Sequence, residues 1–209
     1  MDRLYARFLE KVGKATGRQE VPPSSIERYE GKLPDLLLKY WVEHGWCAYG
    51  NGIFWLVNPQ DYEGVVTSWL EGTTLEPIDT YHLIARGAFG DLYFWGEKTG
   101  ASLEITAPLS RYILRDSLYG SDQLEKNFQC FFINNDAEQS DYGELFAPAL
   151  KKLGPLKSNE VYGFRPALLL GGHDSIKNLE KVSVIEHLTL LSQIQKLEPY
   201  DFSSGAYDG

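Results

Sequence analysis

Tyr81-His82-Leu83-Ile84-Ala85, Asp91-Leu92-Tyr93-Phe94-Trp95-Gly96 and Leu103-Glu104-Ile105-Thr106 are short runs rich in aromatic and aliphatic residues. Gly87-Ala88-Phe89-Gly90 separates the first two, and Glu97-Lys98-Thr99-Gly100 follows the second. Runs of this length, punctuated by turn residues, predict successive strands of an antiparallel meander.

Outward from the meander the pattern turns helical. Leu4, Phe8, Leu9 and Val12 recur at helical spacing within residues 3–14. Ser24 with Glu27 suggests a capping box for a short helical turn. A helix opening at Pro34 puts Leu37, Tyr40 and Trp41 on one face and stops before Gly45. Gly50-Asn51-Gly52 is a turn and Ile53–Val57 a buried strand. Asn58-Pro59 then supplies a cap and a first-turn proline for a helix with Tyr62, Val65, Val66 and Trp69 inward. After the meander, residues 122–127 read as helix and Cys130–Ile133 as one more strand, while the polar stretch Asn134–Ser140 marks a boundary. Tyr142–Leu153 reads as helix, Glu160–Leu170 as extended, and residues from Asp174 or Ser175 to Leu197 as a long last helix. The fold class is α+β: an antiparallel sheet with flanking helices and a long C-terminal helix packed on it. The domains are expected to be 1–133 and a smaller 134–209 that ends in that helix and a frayed tail.

The formal charge of −9 argues against nucleic acid as a direct partner, since DNA binders present a basic face. The distribution is more telling than the total. Between Lys39 and Arg86 there is no base, but six acids: Glu43, Asp61, Glu63, Glu71, Glu76 and Asp79. Between Lys126 and Lys151 there is again no base, with Asp136, Glu138, Asp141 and Glu144. Outside these windows 19 acids face 20 bases, so the whole negative excess lies inside them. Windows facing one way would form an acidic pole that steers a basic partner; otherwise they are solvated faces that aid solubility.

No catalytic or metal constellation is legible. His44 suits a helix C-terminus. His82 and His187 fall on a strand and a helix, with no ligand spacing around them. Gly171-Gly172-His173-Asp174-Ser175 holds three triad residue types in a row, but neighbours in a chain cannot reach triad geometry. That stretch reads as a turn with a capping Asp174 or Ser175 rather than an anion loop. Residues 136–141 lack the glycine and the bidentate glutamate of a calcium loop. Cys47 and Cys130 form no framework and are expected reduced. No apolar run approaches the roughly 18 residues of a membrane helix, and Met1-Asp2-Arg3-Leu4-Tyr5 lacks a secretion signal's apolar core, so a cytoplasmic location is expected. No cofactor is expected.

Four phrases in order carry a resemblance: Leu33-Pro34-Asp35-Leu36-Leu37, Gly52-Ile53-Phe54-Trp55-Leu56-Val57-Asn58-Pro59, Phe89 to Gly96, and Val161-Tyr162-Gly163-Phe164-Arg165-Pro166-Ala167-Leu168. Over residues 1 to about 198 the chain resembles a GAD-like domain followed by its small C-terminal companion domain, as in immunity proteins against type VI secretion nuclease toxins. The resemblance implies a non-enzymatic antidote that binds a basic nuclease toxin, a DNase, 1:1 and occludes or distorts its active site. On that reading Asp61, Glu63, Glu71, Glu76, Asp136, Glu138, Asp141 and Glu144 include contact residues. The alternatives are an intracellular regulator whose Trp55, Tyr93 and Trp95 line a small-ligand pocket, and, more weakly, a hydrolase using unidentified carboxylates.

Overall fold

A computed structural model describes residues 2–115, 123–136 and 140–201. In chain order the elements are α1 (Arg3–Val12), β1 (Ala15–Gln19), α2 (Pro23–Tyr29), α3 (Asp35–His44), β2 (Trp46–Tyr49), β3 (Phe54–Leu56), α4 (Glu63–Leu70), β4 (Tyr81–Gly87), β5 (Asp91–Gly96), β6 (Gly100–Thr106), β7 (Arg111–Leu114), α5 (Leu124–Asn134), α6 (Phe146–Leu153), β8 (Glu160–Phe164), β9 (Leu179–Ser183), α7 (Val184–Ile194) and β10 (Glu198–Pro199). Strands β1 to β7 follow one another across a single sheet, every neighbouring pair antiparallel. The last strand, β10, adds in parallel to β7, and β8 with β9 forms a separate hairpin. The predicted meander is β4-β5-β6, with Phe94 opposite both Leu83 and Leu103.

Aromatic rings fill the space between the sheet and the helices. Phe8 on α1 stacks on Phe132 of α5 at 3.9 Å and meets Phe54 of β3 edge-on. Trp95 and Tyr93 of β5 pack on Phe128 and Phe131 of the same helix. Helix α4 contacts β4, and α7 packs on α4 and on the turn after β6, so the C-terminal helix covers the sheet as expected.

Local expectations differ from the structure at several points, and the helix expected from Tyr142 begins only at Phe146, since Tyr142, Gly143 and Glu144 all have positive φ. Cys130–Ile133 is not a strand but the end of α5, because Phe128, Phe131 and Phe132 at helical spacing put their rings on one buried side. The last helix is shorter than expected, for Leu179–Ser183 is β9, which covers the edge of β8 with Leu179 opposite Phe164 and Val182 opposite Val161. Strand β1 is exposed along its whole length, so no alternation announces it. The capping box at Ser24 and Glu27 does not form; Pro22 caps α2, Pro23 opens it, and Ser25 donates to Gln60 Oε1 at 3.1 Å.

One glycine of the Val161–Phe164 phrase has a clear packing role. A Cβ at Gly163 would lie 2.8 Å from Val182 Cγ2 and 2.9 Å from His187 Nε2, so any larger residue would push these side chains aside where α7 meets the hairpin.

The ring stack predicts where stability resides. Phe8 is fully buried, and Phe8→Ala is expected to cost about 3–5 kcal/mol in urea unfolding, the usual loss for a core phenylalanine. A loss below about 1 kcal/mol would mean that the stack relaxes to fill the space.

Candidate partner-binding site

The segment Arg86–Phe89 joins the sheet to the later part of the chain. Arg86 is fully buried and directly opposite Trp55 in the β3–β4 ladder, with its guanidinium 4.6 Å from the indole centre. Its Nε donates to Tyr62 Oη at 3.0 Å, Nη2 to Ser158 O at 3.0 Å, and Nη1 weakly to Gly87 O at 3.4 Å. No carboxylate pairs with it among the described residues. Two residues on, Ala88 O accepts from Tyr162 N of β8 at 2.9 Å. Phe89 then packs its ring among Tyr142, Tyr162 and Phe164. Thus Gly87–Gly90 is both the turn expected after β4 and the docking point for the β8–β9 hairpin.

Beside this junction lies a cleft of about 260 Å³. Its walls come from Trp46 and Trp55 on the sheet, Asn58, Asp61 and Tyr62 before α4, Ser158 and Asn159 before β8, and Val184 and Ile185 at the start of α7. Gln19 Nε2 donates to Ser158 Oγ at 3.0 Å across its edge.

Four acids of the first base-free window lie on or beside one helix. Asp61, Glu63, Glu71 and Glu76 are exposed and lie on α4 and its two flanks. Glu63 pairs with Arg28 at 2.5 Å on the surface, and Glu76 Oε2 accepts from Gly72 N at 2.8 Å. Asp79 is different: its buried carboxylate accepts from Lys98 N, Thr99 N and Thr99 Oγ1 and so holds the β5–β6 turn. A Cβ at Gly96 would fall 2.3 Å from Asp79 Oδ2, which explains the glycine that ends the Phe89–Gly96 phrase.

Of the second window, Asp141 and Glu144 sit elsewhere, before α6. Asp141 is half-buried, its Oδ1 accepting from Phe146 N at 2.6 Å at the start of that helix. Glu144 is exposed, with φ at +68°, and Asp136 is half-buried. Glu138 lies outside the described residues. The structure therefore sets Asp61, Glu63, Glu71 and Glu76 on and beside α4, and Asp141 and Glu144 just before α6.

The remaining polar groups have local roles. His44 closes α3 and stacks on Tyr5 at 3.8 Å, while His82 Nε2 lies 2.9 Å from Glu97 Oε1. In the glycine-rich stretch, Ser175 Oγ accepts from Lys177 N at 3.4 Å and opens a 3-10 turn before β9, so the turn reading holds and no long helix follows it. Cys47 Sγ donates to His44 O at 3.0 Å. Among the described residues no group of three or more His, Cys, Asp or Glu could hold a metal, and no helix is long and apolar enough to cross a membrane. Trp55, Tyr93 and Trp95 do not line one pocket. Trp55 faces the cleft above, Tyr93 borders another with Asp91 and Glu104, and Trp95 is core, with Nε1 donating to Lys32 O.

Residues 3–109 match the family profile of the GAD-like domain, and residues 124–195 match that of the T6SS immunity protein Tdi1, C-terminal. The chain belongs to the GAD-like type VI secretion immunity proteins. A crystal structure of Atu4351 from Agrobacterium tumefaciens has the same fold, with a TM-score of 0.85 at 24% identity over 96% of this chain and 94% of that one. No curated protein matches the chain. The cleft draws its walls from both matched regions, a feature that sequence alone does not reveal because Ser158 and Val184 are ordinary residues in their own neighbourhoods.

Two half-buried groups give the fold opposing pH dependences. Burial pushes the Asp91 carboxyl up to about 7, although Tyr142 donates to its Oδ1; its Oδ2 has no partner. Asp91 thus binds more protons folded than unfolded, and its contribution is present in full below about 4 and lost as pH rises through 7. His187, pushed down to about 4 by burial and then by Arg165, has the reverse sign: its contribution is full above about 6.5 and lost as pH falls through 4. Asp91→Asn should therefore gain stability relative to the parent as pH rises from about 5 to 8, read by urea unfolding at each end. A difference that stays constant with pH would show that Asp91 titrates normally.

Proposed function

We propose that this protein is the stoichiometric antidote of a type VI secretion nuclease toxin, a DNase, which it binds 1:1 in the cytoplasm and silences by occluding or distorting the active site. The observation that carries the reading is the match of residues 124–195 to the C-terminal region of the immunity protein Tdi1, behind the GAD-like match over residues 3–109. The chemistry supports it from a separate direction. A nuclease grips phosphate and so carries bases around its cleft, and this chain, at −9, presents exposed acids to such a surface. Asp61, Glu71 and Glu76 are the contact candidates with the least internal commitment, because Glu63 already pairs with Arg28 and Asp141 holds the entry to α6. Asp136, Glu138 and Glu144 complete the proposed contact set. Residues 1–133 and 134–209 act on this reading as two modules of one inhibitor, and inhibition needs binding alone, without turnover.

The decisive experiment is co-purification with the product of the adjacent toxin gene, followed by plasmid cleavage at increasing ratios of this protein. A stable complex and a sharp end of cleavage at one equivalent are expected. Undiminished cleavage in excess antidote would overturn the reading.

A further inference from the structure

The cleft beside Arg86 has the chemistry of a socket for one side chain. Its volume of about 260 Å³ falls below the roughly 300–1,000 Å³ of small-molecule sites. Trp46, Trp55, Val184 and Ile185 give it apolar walls, and no lysine or arginine lines it. Among the described residues the sole acidic or basic side chain on those walls is that of Asp61, which is exposed in the turn into α4. Among the described residues the Asp61 carboxylate accepts one hydrogen bond, from Asn58 Nδ2 at 3.1 Å to Oδ1, which leaves Oδ2 open. The nearby Arg86 guanidinium is fully buried, engaged by Tyr62 Oη, Ser158 O and the Trp55 ring, and does not line the cleft. An entering side chain therefore meets apolar walls first and a carboxylate as its charged contact.

We infer that this cleft receives a basic side chain, arginine or lysine, from the toxin; the inference rests on the antidote reading above. Long basic side chains bury an apolar stem while keeping the charged head at a polar rim, and the cleft offers both environments. Charge complementarity favours this occupant over an acidic one. The negative charge at the mouth comes from Asp61 itself; the bases next in sequence to the other walls, Arg18 and Lys157, are exposed and do not line the cleft. Because one wall belongs to the GAD-like region and the other to the Tdi1-like region, the socket exists only when both modules are assembled.

The test compares affinities of the full chain for the purified toxin by calorimetry. Asp61→Asn and Asp61→Lys are surface changes, and Ile185→Lys places a cation on the opposite wall at a position already 36% exposed. Glu30→Lys, also exposed but away from the cleft, makes the same charge change as Asp61→Lys and serves as the control. Loss of a desolvated charge-assisted contact predicts at least about tenfold weaker binding for each cleft variant. The control should stay within about twofold, as expected of a surface charge outside the contact. In the free protein, N-acetyl-arginine amide should shift the Trp46 and Trp55 indole N–H resonances of the parent but not of Asp61→Lys. If the parent binds toxin and the cleft variants bind equally well, the socket is wrong while the antidote reading stands. Tighter binding by Asp61→Lys would mean an acidic occupant and overturn the assignment. Failure of the parent itself to bind would overturn the antidote reading and the socket with it.

Discussion

A buried guanidinium without a carboxylate sets the terms for the junction of this molecule. Removing an ion from water costs several kcal/mol unless its donors are met. Arg86 meets them with Tyr62 Oη, Ser158 O, a long contact to Gly87 O and the face of Trp55. Apart from Gly87 on β4 itself, each partner belongs to a different stretch: the turn before α4, the approach to β8, and β3. None can shift without exposing the charge or leaving it unsatisfied. Ala88 and Phe89 extend the same joint, through Ala88 O to Tyr162 N and through Phe89 among three aromatic rings. Four consecutive residues thereby fix where the C-terminal hairpin sits on the sheet.

This joint explains which parts of the fold were legible in the chain. The meander β4-β5-β6 was legible because its strands are apolar runs cut by glycine-bearing turns, which is a local signal. So were α3, with Pro34 before it and Gly45 after it, and the cap at Asn58, whose side chain accepts from Gln60 N. Strand β1 was not, since all five of its residues face solvent. Leu179 and Val182 looked helical because their spacing joined smoothly to that of α7; only the free edge of β8 makes them strand. Arg86 entered the sequence reading as the base that ends an acidic window. Its burial, and its hold on Ser158, depend on contacts 72 residues apart that no local pattern records.

The acidic windows illustrate a second limit. Net charge is legible, but the use of each carboxylate is not. Asp79 and Asp141 are committed to backbone N–H groups, one in a turn and one at a helix start. Asp61, Glu71 and Glu76 remain on the surface around α4. Such a surface on a well-packed scaffold suits an inhibitor that must act on arrival, because preformed groups avoid the ordering cost of binding. It also favours rapid capture, since like-signed charges gathered on one element steer an oppositely charged partner before contact.

The most direct test of an electrostatic antidote is the association rate with the purified toxin, measured by stopped flow across ionic strength. Steered capture predicts a rate that falls steeply, by about tenfold or more, between low salt and about 0.5 M, while the dissociation rate changes little. An association rate independent of salt would contradict the account, because the acids around α4 would then have no part in finding the toxin.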